Sequence, residues 1–209
     1  MTNKQKYYVV WKGRHTGIYT TWEECSRQVN GYTGAEYKSF ENEAAAKQAW
    51  RKEYADYQGK FVPRLSQARL LAVGSPILLS YAVDASCLGN PGVLEYRGVE
   101  TETQKEIFRQ GPFRHGTNNI GEFLALVHAL VLLQPKQIAL PIYSDSKDAL
   151  NWVRAKKCRT NLVRNSVNAE LFELIGRAER WLRENTYPNK ILKWETEAWG
   201  EIPADFGRK

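Results

Sequence analysis

The sequence is poor in the residues that build zinc sites and disulfide frameworks. It has three cysteines and three histidines among 209 residues. Cys25, Cys87 and Cys158 stand far apart in the chain, so none has the short spacing of zinc ligands, and their odd number does not suit a disulfide framework. We therefore expect reduced thiols and a cytoplasmic location.

Long apolar runs are also missing. No stretch approaches the roughly 18 apolar residues that a membrane-spanning helix needs. Residues 1–6 lead directly into a strand-like segment, without the apolar core of a signal peptide. The sequence therefore predicts neither a membrane span nor a signal peptide.

Positive charge, in contrast, is plentiful. There are 30 Lys and Arg against 23 Asp and Glu, which gives a net charge of +7. This excess favours a polyanionic partner, although composition alone does not identify it. Because the basic residues are spread over the whole chain, a binding surface must come from local clusters.

The pattern along the chain predicts two domains and a linker. Residues 1–54 hold three short strands and two helices, with Thr21 as the cap of the first helix. Residues 55–76 have no clear period and contain glycine and proline, so we interpret them as a linker with a short helical stretch. Residues 77–209 form the second predicted domain.

The second domain has the order βββ-α-β-α-α-β-α, which predicts an α/β fold: a mixed sheet with helices on its faces. Its first strand is predicted over residues 77–84 and a later buried strand over residues 138–143. Apolar residues at helical spacing between these strands predict a helix that packs on the core. They are Ile120, Phe123, Leu124, Val127 and Val131.

Four carboxylates stand near predicted element ends. Asp84 ends the first strand, Glu122 lies near a helix start, Asp145 follows an apolar run, and Asp205 lies near the C-terminus. One acid at a strand end is usually a turn or cap residue, but Asp84 and Asp145 end strands that should be neighbours in one sheet. Converging carboxylates repel unless a cation neutralises them, and hard oxygen ligands suit Mg²⁺. No Cys or His accompanies them, which argues against zinc.

The segments that carry these acids resemble type 1 ribonuclease H, in that family's order. They are YAVDASCLGNPG (81–92), GTNNIGE (116–122), YSDS (143–146) and WGEIPAD (199–205). The N-terminal segments YVVWKGRHTGIYTTWEEC (8–25) and YKSF (37–40) are similar to the hybrid-binding domain of such enzymes. The resemblance implies a ribonuclease H-like mixed five-stranded sheet with flanking helices, preceded by a small α/β domain.

The resemblance also implies an activity: hydrolysis of the RNA strand of RNA–DNA hybrids by two metal ions, leaving 5′-phosphate and 3′-hydroxyl ends. Mg²⁺ is the expected metal, with Mn²⁺ as the alternative. Asp84, Glu122, Asp145 and Asp205 would be the catalytic and metal-binding acids. Some members carry a mobile His before the last acid; Glu201 is the nearest ionisable residue here, and a solvated helix-start carboxylate is its other interpretation.

Substrate contacts follow from the same resemblance, and each has a structural alternative such as a turn, a helix cap or a core aromatic. Minor-groove contacts are implied for Asn90, Asn118 and Asn119, and a DNA-strand phosphate pocket for Thr117, Asn119, Thr160 and Asn161. In the N-terminal domain the implied contacts are Tyr8, Trp22, Tyr37 and Lys38. The link after the helix that follows Asp145 is too short for the basic protrusion of some single-domain members.

Two rival functions remain open at this point. A non-catalytic hybrid-binding protein would not need four converging carboxylates. A DNA-directed nuclease or integrase of the same fold class is the second rival, because fold does not determine function. The asparagines and the N-terminal module favour the RNA–DNA hybrid as the partner, and no protein partner is implied.

Overall fold

The computed structural model describes residues 5–59 and 61–207. By its internal contacts the chain divides into two units. Met1–Gly74 with Glu197–Gly200 form unit 1, and Ser75–Thr196 with Glu201–Lys209 form unit 2. The limits 1–54, 55–76 and 77–209 derived from the sequence stay predictions.

Unit 1 is built on a three-stranded antiparallel sheet in the order β2-β1-β3. Its elements are β1 (Tyr7–Lys12), β2 (Gly17–Tyr19), α1 (Trp22–Val29), β3 (Glu36–Phe40), α2 (Glu43–Trp50) and the short α3 (Gln67–Val73). Successive strand residues point to opposite faces. Val9 therefore packs with the alanines of α2, and Val10 packs with Cys25 and Val29 of α1.

The ends of the two main helices of unit 1 have local causes. Thr21 caps α1 as predicted, since its hydroxyl accepts a hydrogen bond from the Glu24 amide at 3.2 Å. The alanine-rich pattern of residues 41–54 predicts one helix over that whole range, but α2 spans only Glu43–Trp50. The Trp11 indole donates to the Lys52 carbonyl at 2.8 Å, and Tyr57 stacks on Trp11 at 5.7 Å between ring centroids. These aromatic contacts turn the chain away from the helix axis.

Unit 2 contains a mixed five-stranded sheet in the order β6-β5-β4-β7-β8. β4, β5 and β6 are antiparallel neighbours, whereas β4, β7 and β8 run parallel. The remaining elements of the chain are β4 (Tyr81–Gly89), β5 (Gly92–Glu100), β6 (Glu106–Gly116), α4 (Asn118–Leu133), β7 (Ile142–Ser144), α5 (Lys147–Arg154), α6 (Ala169–Glu184), β8 (Ile191–Lys193) and α7 (Thr196–Trp199). The predicted element order and mixed sheet are confirmed.

Two predicted strands are misplaced. β4 begins at Tyr81 and runs through Asp84 to Gly89, because it pairs with β5 along its whole length as a hairpin. Ile77 and the two leucines after it lie outside this ladder and are exposed. β7 begins only at Ile142, and the Asn189 side chain, rather than a strand partner, binds the carbonyls of residues 138 and 140.

The core of unit 2 is centred on α4. Ile120, Phe123, Leu124 and Val127 are buried as predicted, but Val131 is 41% exposed. Leu130 and Leu133 are buried at that end instead. Val131 keeps the helical spacing of Leu124 and Val127, but it borders a cavity with them instead of packing in the core. No helix in residues 5–59 and 61–207 is long and apolar enough to cross a membrane. Cys25, Cys87 and Cys158 form no disulfide with one another in this structure.

Candidate active site

Asp84, Glu122 and Asp145 converge, and each offers a carboxylate oxygen within 4.8 Å of the others. Asp84 and Asp145 meet because β4 and β7 are adjacent and parallel, with Ala82 paired to Tyr143 two residues earlier. Asp84 lies in the middle of β4, not at its end as the sequence suggested. The convergence therefore comes from strand register.

Glu122 reaches the two aspartates because α4 lies very close to the sheet. A Cβ on the preceding residue, Gly121, would come within 2.6 Å of the Ala85 Cβ and 2.5 Å of the Leu94 side chain. Only glycine permits this approach. The Asn118 amide then donates to the Glu122 carboxylate at 2.9 Å, which holds the acid one turn after the helix start.

The environment of the three acids opposes their charge. Asp84 and Glu122 are each only 7% exposed. Burial, reinforced by Asp145, raises the pKa of Asp84 to about 8, and burial raises the pKa of Glu122 to about 7. Burial likewise raises the pKa of Asp145. A divalent cation would reverse these shifts, since an opposite charge favours the ionised form.

One carboxylate oxygen of the cluster has no hydrogen-bond partner. Asp145 Oδ1 is buried without a hydrogen-bond partner, one of two such side-chain atoms in the described part of the chain. Buried polar atoms without partners are rare because the loss of hydration is costly. An acceptor oxygen of this kind, among other carboxylates, suits a hard cation.

Asp205 and Glu201 lie beside this group rather than within it. The charge of Asp205 contributes to the raised pKa values of Asp84 and Asp145 behind the larger effect of burial, and Glu201 contributes to that of Asp145 in the same way. The segment is held through its backbone. Arg97 donates to the carbonyls of Ala204 at 2.8 Å and Asp205 at 2.6 Å.

The substrate contacts implied for unit 2 line one cavity of about 610 Å³. Those residues are Asn90, Thr117, Asn118, Asn119, Thr160 and Asn161. They come from the β4–β5 turn, the start of α4 and the loop before α6, so only the fold brings them together. Arg159 and Asp148 also line this cavity.

Buried polar groups hold the loop that carries Thr160 and Asn161. Glu179, buried in α6, accepts from the Cys158 amide at 3.1 Å and from the Lys157 ammonium at 2.8 Å. Asn168 is fully buried and binds the Val163 carbonyl and the Asn165 amide. The loop is therefore fixed at both ends.

Three of the four contacts implied for unit 1 form an aromatic surface. Trp22 lies between Tyr8, at 5.6 Å, and Tyr37, at 5.8 Å between ring centroids. Trp22 is 47% exposed and Tyr37 39% exposed, so this tryptophan is not a core residue. Lys38 is on the opposite face of β3, where it donates to the Tyr57 carbonyl at 2.7 Å, and burial lowers its pKa.

Two family models match this chain, one within unit 1 and the other within unit 2. Residues 6–50 match the family model described as ribonuclease H1 N-terminal domain. Residues 78–186, just over half of the chain, match the model for RNase H. The chain belongs to the ribonuclease H family. Asp84, Glu122 and Asp145 lie inside the matched segment, and Glu201 and Asp205 follow it.

Individual ribonucleases H resemble shorter parts of the chain. The Schizosaccharomyces pombe enzyme is 48% identical over 61 residues, which cover 29% of this chain and 23% of that protein. The Oleidesulfovibrio alaskensis enzyme is 37% identical over 106 residues, covering 48% of this chain and 64% of that protein. The chain thus spans less than two thirds of the length of these relatives.

Two solved structures are similar to part of the chain at low identity. The LC11 RNase H1 isolated from compost is 20% identical, with a TM-score of 0.39, and the likeness covers 56% of this chain and 84% of that chain. The RNase H1 of Halobacterium salinarum is 20% identical, with a TM-score of 0.37, over 55% of this chain and 83% of that chain.

Two residues of this ribonuclease H family site have no counterpart in the sequence prediction. Arg97 of β5 is the register partner of Asp84 in β4, and it supports the Asp205 segment. Asp148 lies in the first turn of α5 and binds Asn119. No motif marks either residue, because an arginine in a strand and an acid at a helix start are common for structural reasons alone.

Proposed function

We propose that this chain is an endonuclease that hydrolyses the RNA strand of RNA–DNA hybrids and leaves 5′-phosphate and 3′-hydroxyl ends. One observation carries the proposal. A cluster of three acids, of which Asp84 and Glu122 are buried and Asp145 has a buried oxygen without a partner, lies beside a cavity lined by the amides and hydroxyls that would contact a hybrid. Membership of the ribonuclease H family supports the reaction class.

The residues present fit a pair of divalent ions. Asp84, Glu122, Asp145 and Asp205 would hold them, with Mg²⁺ as the metal and Mn²⁺ as the alternative. Bound ions of this kind activate a water molecule and stabilise the leaving oxygen of the phosphodiester. The donor set offers carboxylate oxygens without Cys or His, which disfavours zinc.

The protein's own groups orient the reaction. Asp84 would serve both metal positions, since the charges of Asp145, Glu122 and Asp205 all add to the effect of burial on its pKa. Glu122 and Asp145 would serve the side of the leaving 3′ oxygen, and Asp205 the side of the attacking water. Glu201, whose charge reaches Asp145, would exchange a proton near that water. Arg97 keeps the Asp205 segment in place through its backbone.

Selection of a hybrid requires separate contacts to each strand. Asn90, Asn118 and Asn119 would contact the minor groove, where an amide can sense the 2′-hydroxyl. Thr117, Asn119, Thr160 and Asn161 would hold a phosphate of the DNA strand. These residues share one cavity, and the Asn118 amide contacts the acid cluster through Glu122.

The N-terminal module would add a second binding surface for the duplex. Tyr8, Trp22 and Tyr37 offer adjoining aromatic faces for sugars. Lys38 lies on the other face of β3 and binds the Tyr57 carbonyl, so it would not contact phosphate from this surface. Residues 1–54 would form the hybrid-binding domain, residues 55–76 the linker and residues 77–209 the catalytic domain. The protein would act in the cytoplasm, with neither a membrane nor a protein partner.

Cleavage of matched duplexes tests the proposal. We expect cutting of the RNA strand in RNA–DNA hybrids with Mg²⁺, and none of matched RNA–RNA or DNA–DNA duplexes. End analysis should find 5′-phosphates. Binding without cleavage would support the rival of a non-catalytic hybrid-binding protein. Cutting of DNA–DNA would support the rival of a DNA-directed nuclease.

A further inference from the structure

Asp148 places a negative charge in the cavity that should hold a phosphate. It lies in the first turn of α5, and its side chain is exposed. Within the described chain, Asp148 is the one acid among the residues that line this cavity. A carboxylate opposes an anionic ligand, so its presence there needs a reason.

The hydrogen bond between Asp148 and Asn119 explains why an acid is found in this cavity. The Asn119 amide nitrogen donates to Asp148 Oδ2 at 3.0 Å. An ionised carboxylate only accepts hydrogen bonds, so the nitrogen side of the amide must face it. This bond removes the rotation of an otherwise exposed side chain and leaves the second N–H of Asn119 for another acceptor. The bond also joins α4 to α5, since the two residues belong to different helices.

The charge of Asp148 acts beyond the cavity. Glu122 has its pKa raised chiefly by burial, and the charges of Asp145 and Asp148 add to this effect. Asp148 is therefore close enough to influence both the phosphate cavity and the acid cluster. A residue that acts only as a helix-start acid would stabilise α5 without affecting either of them.

We infer that Asp148 is a positioning and specificity-determining residue. It orients Asn119 towards a phosphate of the DNA strand and limits by its charge how tightly the cavity holds that phosphate. This inference rests on the proposed function. The two effects have opposite signs, so two substitutions at this position separate them.

Asp148→Asn keeps an acceptor oxygen for Asn119 and removes the charge. We expect the KM for a hybrid to fall about threefold to tenfold at low salt, since one repulsive charge near the phosphate is lost. kcat should change less than KM, because the gain applies equally to bound substrate and transition state. The decrease in KM should be smaller at about 0.3 M salt, because salt screens the repulsion.

Asp148→Ala removes the charge and the acceptor together. We expect its KM to be at least about threefold higher than that of Asp148→Asn, because Asn119 is no longer held. Glu102→Gln is the matched control: it removes one exposed acid outside the cavity lining and should leave KM unchanged. Thermal unfolding of each variant shows whether the fold is retained.

Hybrids with one uncharged methylphosphonate in the DNA strand, placed at each position in turn, identify the phosphate. The decrease in KM caused by Asp148→Asn should disappear when the methylphosphonate stands at one particular position of the DNA strand. Equal KM values for Asp148→Asn and Asp148→Ala would overturn the positioning role, and an unchanged KM for Asp148→Asn would overturn the charge role. If the decrease in KM caused by Asp148→Asn is unchanged with the methylphosphonate at every position, the bound phosphate does not belong to the DNA strand.

Failure of the proposed function would look different. If the unmodified chain does not cleave hybrids, that function is wrong, whatever Asp148 does. Fluorescence anisotropy of a labelled hybrid in EDTA reads affinity without cleavage. The same ranking of the variants in Kd would then uphold the Asp148 inference, and identical Kd values would overturn it.

Discussion

Arg97 donates a hydrogen bond from its guanidinium to the main-chain oxygen of Asp205 across 2.6 Å. Because Arg97 also pairs with Asp84 across the β4–β5 ladder, it connects the sheet that carries one acid to the segment that carries another. The position of Asp205 therefore depends on a residue about a hundred positions earlier in the chain. This dependence can be tested.

Arg97→Met should lower kcat about tenfold to a hundredfold on hybrids, since two charge-assisted hydrogen bonds to the Asp205 segment are lost. Hybrid affinity should stay within about twofold. Arg109→Met is the matched control, because Arg109 also lies over the Phe206 ring, at 5.1 Å, but donates its hydrogen bonds to Glu106. Equal losses of kcat in both variants would show that the ring contact, not the backbone bonds, matters.

Asp145→Asn should reduce cleavage to below about a hundredth of the wild-type rate at saturating Mg²⁺. The amide keeps the shape of the side chain but is a much weaker metal ligand, so folding and hybrid binding should persist. Asp56→Asn, an exposed aspartate in unit 1, serves as the control. Single-turnover cleavage measures the effect, and a variant that retained more than about a tenth of the rate would contradict the metal assignment.

The raised pKa values of Asp84 and Glu122 predict how stability depends on pH without metal. A carboxyl whose pKa rises on folding binds its proton more tightly in the folded state. It therefore stabilises at low pH, and this stability is lost as the pH rises towards about 8 for Asp84 and about 7 for Glu122. We expect the Tm in EDTA to fall between about pH 5 and pH 8.

Asp84→Asn should remove much of the decrease in stability between about pH 5 and pH 8. It should raise the free energy of unfolding at pH 8 in EDTA by on the order of 1–3 kcal/mol. Mg²⁺ should raise the Tm of the unmodified protein more at pH 8 than at pH 6, because metal binding displaces protons from the acids. The variant should gain little from Mg²⁺. Thermal unfolding across pH, with and without Mg²⁺, checks both statements; a Tm independent of pH would contradict them.

Trp22→Ala should weaken the binding of long hybrids about fivefold to fiftyfold, because the central ring of the Tyr8–Trp22–Tyr37 surface is lost. Short hybrids that admit only unit 2 should be cut at nearly unchanged rates, since two tethered modules raise affinity only when both are engaged. Trp50→Ala is the control, an exposed tryptophan on α2. Equal losses on long and short hybrids would rule out this tethered grip.

Much of the architecture is encoded locally. The Thr21 cap, the start of α4 after Thr117 and the apolar segments of the sheet are set by residues near in sequence, so the element order follows from pattern alone. The family motifs are local too, which is why the chain's resemblance to ribonuclease H was recognisable from short segments. The four acids, Asn90 and the turn of residues 117–119 lie inside those segments, whereas Thr160 and Asn161 lie outside them.

Element limits and side-chain geometry depended on the tertiary structure. Asp84 lies in mid-strand because pairing with β5 extends β4, and α2 ends early because Tyr57 packs on Trp11. Lys38 faces away from Tyr37 because neighbouring residues of a strand alternate between faces.

The sequence by itself determined which chemistry was available: oxygen ligands without thiol or imidazole companions, and amides near strand and helix ends. Only the tertiary structure decided that Arg97 supports Asp205 and that Asp148 holds Asn119. Both pairs join residues that are distant in the chain, on elements that meet only after the sheet and its helices have packed. Local patterns carry no information on such contacts, since they depend on strand register and on the distance at which helices pack.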